Sequence, residues 1–212
     1  MARRMQQAAS VPTFQVTTEV LVDDLLALRA RLGSEEGLVV PSLNDLVVKA
    51  AAGALRSHPL VNASYDEEGP KVHPRVNVGV AVATDGALLV PTVFDADAKT
   101  LGAIATETRE LAQKVRSGRI SPAELDGGTF TVSNLGMYEM TQITPVVNVP
   151  QAAILGVGAA RAAPVVVDGE VGVRTVLVLT LSCDHRVLTG AEGAAFLNEV
   201  RATLQSPLRL AL

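Results

Sequence analysis

Tryptophan is absent from this 212-residue sequence, and aromatic residues make up only 3% of it. A core must therefore be built from Val, Leu, Ile and Ala, a set that favours close-packed strands and Ala-faced helices. So few rings also leave little on which bases could stack, which argues against single-stranded nucleic acid as a partner. Cysteine occurs once, as Cys183. That excludes an internal disulfide and any multi-cysteine zinc site, and it fits a reducing cytoplasm. The three histidines show no clustered ligand spacing, so no metal is expected. No apolar run approaches the ~20 residues of a membrane span. The start, Met1-Ala2-Arg3-Arg4-Met5, carries two arginines and no apolar stretch for a signal peptide. Acids and bases are interspersed, 22 against 18 for a net charge of −4, which leaves no basic patch for nucleic acid. The expectation is a cytoplasmic protein with neither membrane nor nucleic acid among its partners.

What is present is 48% hydrophobic residues, enough for one sizeable core and hence one domain over residues 1–212. Leu21, Leu25, Leu28 and Leu32 recur at helical spacing, with Asp23 and Asp24 where a first turn favours acids, which predicts a helix from Leu21 to Leu32. Pro41-Ser42 opens a second helix, with Ser42 as N-cap, Asp45 three residues on, and an end near His58-Pro59. Val76 to Ala83 alternates with period two and reads as a strand, turning at Asp85-Gly86 into another from Leu88 to Val93. A third helix spans Thr100 to Val115, and Ser121-Pro122-Ala123-Glu124 starts a short one. Strands follow over Thr129 to Ser133, Ala152 to Val157, Val165 to Val167 and Val171 to Ser182, with Asp168-Gly169 as a hairpin turn. A last helix, Ala191 to Leu204, ends before Pro207 and the apolar tail Leu208 to Leu212. This order predicts an α+β two-layer sandwich, a mixed sheet with helices on one side.

One residue stands out for chemistry. His185 follows the nearly all-apolar strand Val176 to Leu181 and precedes a helix start, so a rigid element projects it into a strand-to-helix turn. Thr189 and Glu192 stand three apart, the spacing of a capping box. Cys183 lies two residues before His185 and offers an alternative nucleophile, or else a small buried hydrophobe. Gly156-Val157-Gly158-Ala159-Ala160-Arg161 lacks the third glycine of a dinucleotide fingerprint. No Gly-x-Ser-x-Gly turn of a serine hydrolase occurs.

Three ordered segments carry a family resemblance. They are Gly127-Gly128-Thr129-Phe130-Thr131-Val132-Ser133-Asn134-Leu135-Gly136-Met137-Tyr138, then Asn148-Val149-Pro150-Gln151-Ala152-Ala153-Ile154-Leu155-Gly156-Val157-Gly158, then Asp184-His185-Arg186-Val187-Leu188-Thr189-Gly190-Ala191. With Val61-Asn62-Ala63-Ser64, Ala83-Thr84-Asp85-Gly86 and Asp95-Ala96-Asp97, they resemble the dihydrolipoyl acyltransferase family of 2-oxo acid dehydrogenase complexes over essentially the whole chain. The resemblance implies a chloramphenicol-acetyltransferase-like fold in homotrimers with active sites between subunits. It implies acyl transfer between coenzyme A and a dihydrolipoyl thiol, with His185 as general base and Ser133 as donor to the oxyanion, the two meeting across an interface. It also implies a lipoyl domain and dehydrogenase-complex subunits as partners, and through the tail Leu208 to Leu212 a larger cage. A thiol of pKa roughly 8.5 facing an imidazole of roughly 6.5 leaves about two units, or ~2.7 kcal/mol, for proton transfer, within reach of an ordinary histidine.

Two positions depart from the family pattern. Thr189 stands where Asp is usual, and a threonine can cap a helix as Asp does. Glu139 stands where Gly is usual, which implies a different loop path or a different contact. No lipoyl or subunit-binding segment, of the kind that usually precedes this domain in the family, is expected within residues 1–212, so the lipoyl group is expected on a separate domain or protein. Two alternatives remain open: a non-catalytic trimeric assembly core, and a stand-alone relative acylating a different small acceptor.

Overall fold

Thr13 to Leu21, Thr-Phe-Gln-Val-Thr-Thr-Glu-Val-Leu, is rich in β-branched residues and forms an edge strand, β1. The computed structural model describes residues 2–84 and 86–211, with side chains from Gln6 to Leu210. It corrects the expected start of the first helix. Leu21 closes β1 by pairing with Val176, while Val20 and Val22 point inward and are fully buried. A helix, α1, spans Ala2–Ala9 before β1, and α2 spans Asp23–Ser34 after it. The leucine spacing was compatible with both states at Leu21, and a pairing partner far along the chain decided it.

Ser42 caps α3, Leu43–Ser57, through a complete capping box with Asp45, as the sequence predicts. Thr100 caps α4, Leu101–Arg116. Pro122–Leu125 forms one turn of 3-10 helix with its own box, Ser121 and Glu124. A short hairpin, β2 (Ala63–Asp66) with β3 (Gly69–Val72), has no counterpart in the sequence-based expectations. The expected strand from Val76 to Ala83 is divided. Its first part is β4, Val78–Val80, in the main sheet, and its second is β5, Val82–Thr84. The strand expected from Leu88 to Val93 divides likewise into β6, Ala87–Leu89, and β7, Thr92–Val93, around Pro91, which has no N–H for a ladder. β5 and β6 pair with each other as a separate hairpin, with Gly86 in its turn at φ +75°, and Asp85 lies outside the described residues.

The remaining strands match the sequence to within a few residues. They are β8 (Phe130–Asn134), β9 (Ala153–Val157), β10 (Arg161–Val167) and the long β11 (Glu170–Asp184). Asp168 and Gly169, both at positive φ, make the turn between the last two. The mixed main sheet runs β1-β11-β9-β8-β4-β7, with β10 also paired to β11. The β9–β8–β4 neighbours are parallel and all others antiparallel.

Period-two alternation gives this sheet two unlike faces. One carries Phe130, Val132, Leu155, Leu177, Leu179, Leu181 and Cys183, all buried with α3 and the final helix α5, Gly190–Gln205, in one core. The other carries Thr131, Ser133, Gly156, Thr180 and Ser182. After α5, Pro207–Ala211 forms a 3-10 turn in which Leu208 is 80% exposed and Leu210 buried; Leu212 lies outside the described residues.

Candidate active site

β11 ends at Asp184, whose N–H donates to the Ala152 carbonyl at 2.8 Å. The next N–H, that of His185, donates to Pro12 at 2.8 Å, which ties the turn to the residue before β1. Asp184 is 2% exposed. Its carboxylate accepts the Arg186 N–H at 2.9 Å and the guanidinium in a fork, Nε at 3.0 Å to Oδ1 and Nη2 at 2.6 Å to Oδ2. The Asp184 carboxylate beside it raises the Arg186 pKa further above its ordinary value. On its outer side Arg186 lies over the Tyr65 ring, with Cζ 4.0 Å from the centroid. His185 itself is exposed, its ring centroid 4.8 Å from that of Phe14.

Thr189 does what capping requires. Its hydroxyl accepts from the Glu192 N–H at 3.4 Å and donates to Glu192 Oε2 at 2.8 Å, while its own N–H donates to the same oxygen at 2.7 Å. These bonds hold the Glu192 carboxyl below the usual glutamate range. Cys183 faces the other way, fully buried against Gly193 of α5, and burial pushes its thiol up to about 12. That removes the alternative in which Cys183 attacks as a thiolate. No helix follows Gly158 either, since β10 begins at Arg161, which removes the dinucleotide reading.

Ser133 is half-buried, one residue from the end of β8. It lies on a cleft of about 870 Å³ whose walls include Ser42, Asn44, Arg109, Arg116 and Tyr138. The chain leaves the strand through close approaches that only glycine allows. A Cβ on Gly136 would meet the Gly158 carbonyl at 2.8 Å, and one on Gly158 would meet the Thr141 carbonyl at 2.1 Å. Glu139 adopts φ +62°, the left-handed region that glycine occupies freely. The loop therefore makes a left-handed turn at this position without glycine.

One chain does not bring Ser133 and His185 together. Ser133 is level with Thr180 across Gly156 of the intervening strand, and His185 lies five residues beyond Thr180. At ~3.3 Å per residue and ~4.8 Å per strand the separation is roughly 15–20 Å.

The architecture belongs to the class of chloramphenicol acetyltransferase, which superposes with a TM-score of 0.64 at 15% identity over 95% of this chain and 94% of that one. More specifically, residues 1–212 match the model of the 2-oxoacid dehydrogenases acyltransferase (catalytic domain), and the chain belongs to that family. A curated relative is the dihydrolipoyllysine-residue acetyltransferase component of the mitochondrial pyruvate dehydrogenase complex of Dictyostelium discoideum. It is 39% identical over 214 residues, which are 100% of this chain but 34% of the relative. The dihydrolipoamide acetyltransferase of Azotobacter vinelandii, solved in a crystallographic and enzymatic study of a serine, a histidine and an asparagine in its catalytic mechanism, superposes with a TM-score of 0.94. Identity is 33%, over 100% of this chain and 89% of that one. The cubic core of a pyruvate dehydrogenase multienzyme complex gives the same values.

Asp184 and Arg186 flank His185, Phe14 packs on its ring and Tyr65 packs on Arg186, and none of the four was given a role from the sequence. An acid and an arginine on either side of the histidine were a readable signal for the ion pair. Tyr65 was not readable, because its hairpin was not.

Proposed function

We propose that this chain moves an acyl group between coenzyme A and a dihydrolipoyl thiol, within a homotrimer whose sites pair His185 of one subunit with Ser133 of its neighbour. The observation that carries this is a spacing. In the Azotobacter vinelandii enzyme the histidine follows the serine by 52 positions and precedes the asparagine by 4, and Ser133, His185 and Thr189 repeat both intervals. The separation of Ser133 from His185 within one chain favours a shared site over a monomeric one.

In the forward direction the His185 imidazole takes the proton of the attacking thiol, and the thiolate sulfur bonds to the thioester carbonyl carbon. The resulting oxyanion accepts a hydrogen bond from the Ser133 hydroxyl. Collapse breaks the original C–S bond, and the departing thiolate takes the proton back from His185. No bond to the protein forms. A neutral residue four positions after the histidine occurs in the Azotobacter vinelandii enzyme, so the threonine here is compatible with turnover. Thr189 serves by fixing the start of α5.

The lipoyl group would come from a separate domain or protein, with dehydrogenase subunits as further partners. Exposed Leu208 supports contacts between trimers and hence a cage. Among the described residues no helix is long and apolar enough to cross a membrane, and the cytoplasm is the proposed compartment.

The test is transfer from acetyl-, propionyl- and branched-chain acyl-coenzyme A to dihydrolipoamide. His185→Ala is expected to lower kcat by about 10²–10⁴ and Ser133→Ala by about 10²–10³. Undiminished transfer in His185→Ala would overturn the mechanism.

A further inference from the structure

Tyr65 reaches the His185 turn from outside the main sheet, and the route by which it is held is continuous. Its own N–H donates to Pro150 at 2.9 Å; two residues on, the Ala152 N–H donates to Ala63 at 2.8 Å, and the Ala152 carbonyl accepts from Asp184 at 2.8 Å. The hairpin β2–β3 is thus bonded through one short segment to the residue that precedes the histidine. That segment is itself anchored. The Gln151 side chain is buried, accepts from Thr131 Oγ1 at 2.6 Å and donates to the Gly128 carbonyl at 2.8 Å.

We propose that Tyr65, Arg186 and Asp184 form a positioning unit for His185, in which the aromatic face closes over a guanidinium already forked onto a buried carboxylate. The inference rests on His185 being the general base. A buried carboxylate without its cation is costly, so the pair holds the two residues flanking His185 in one arrangement. The ring on the outer side of Arg186 limits its freedom to leave that arrangement for water. Among the described residues the other side-chain ties at this turn are the Phe14 ring, which packs on the imidazole itself, and the capping box of Thr189 and Glu192, four residues away. Phe14 supports the ring, and the Asp184–Arg186 fork fixes the backbone from which the imidazole leaves the strand. None of the three residues exchanges a proton with substrate.

Such a role predicts a change in turnover without a change in affinity, since a displacement of about 1 Å at a reacting group can cost ~10²-fold in rate. Arg186→Lys keeps the charge but not the fork, and should lower kcat about 10- to 100-fold with KM for both substrates held within about twofold. Tyr65→Leu keeps bulk without a π face and should lower kcat about 3- to 10-fold, whereas Tyr65→Phe should retain it. The experiment is steady-state kinetics of these variants beside wild type and His185→Ala, as assembled protein, with thermal unfolding measured on each. Tyr65 lies half-buried on a surface hairpin, so its variants remain informative if Arg186→Lys fails to fold. Wild-type kcat in Tyr65→Leu, or equal losses in Tyr65→Leu and Tyr65→Phe, overturns the positioning unit provided His185→Ala is inactive. If His185→Ala retains full transfer, the general-base reading fails instead, and the two failures are told apart.

Discussion

The two ends of the sheet that carry the candidate chemistry are secured in opposite ways. At the end of β11, the turn bearing His185 is fastened by side chains: the Asp184–Arg186 fork, the Thr189–Glu192 box and the ring of Tyr65. At the end of β8, the segment after Ser133 is fitted by the lack of side chains, at Gly136 and Gly158, against carbonyls of the crossing loop. Polar ties tolerate a substitution that restores the same donors and acceptors in the same geometry. A steric fit tolerates none that adds an atom.

The largest effect should come from joining the two ends across subunits. His185→Ala and Ser133→Ala homotrimers are each expected to be nearly inactive, yet trimers that contain both variants should regain roughly one third of wild-type activity, because in each mixed trimer one of the three sites receives both intact groups. Specific activity of doubly tagged, co-purified trimers measures this, and no recovery would place both groups in one chain's site. Next, Gly158→Ala should cost about 3 kcal/mol or more, since its Cβ would lie 2.1 Å from the Thr141 carbonyl oxygen. Gly190→Ala at the histidine end meets open space in the first turn of α5 and should be neutral or stabilising by up to about 1 kcal/mol. Urea unfolding of the pair tests the contrast directly.

Thr189→Ala should cost about 1 kcal/mol through loss of the cap, with Thr189→Asp restoring it. Replacing Glu139 by glycine should gain about 0.5–1 kcal/mol by relieving the left-handed backbone. The smallest effect is a pH dependence. Because Glu192 is held below the usual range, its contribution is fully present above about pH 4.3 and is lost as pH falls through the depressed value. Glu192→Gln should flatten that part of the acid unfolding curve.

Local signals carried much of this architecture. Ser42, Ser121 and Thr189 were legible as caps because capping is decided within four residues. The Asp168-Gly169 hairpin was legible for the same reason. β1 and the β2–β3 hairpin were not, since their strands are selected by partners elsewhere in the chain, and no periodicity within Thr13–Leu21 records that Val176–Asp184 will pair with it. His185 was picked out as a projected group in a strand-to-helix turn. Its role came from family resemblance, because burial of Cys183 and the fork on Asp184 depend on which face each residue takes at the end of β11.

The distance between Ser133 and His185 within a chain has a genetic consequence. In a shared-site trimer every polypeptide contributes to two sites, lending its histidine to one neighbour and its serine to the other. A chain that has lost both groups but still assembles would silence two of the three sites of its trimer. Such an allele would act dominantly, whereas one that failed to fold would behave as a simple loss of dose.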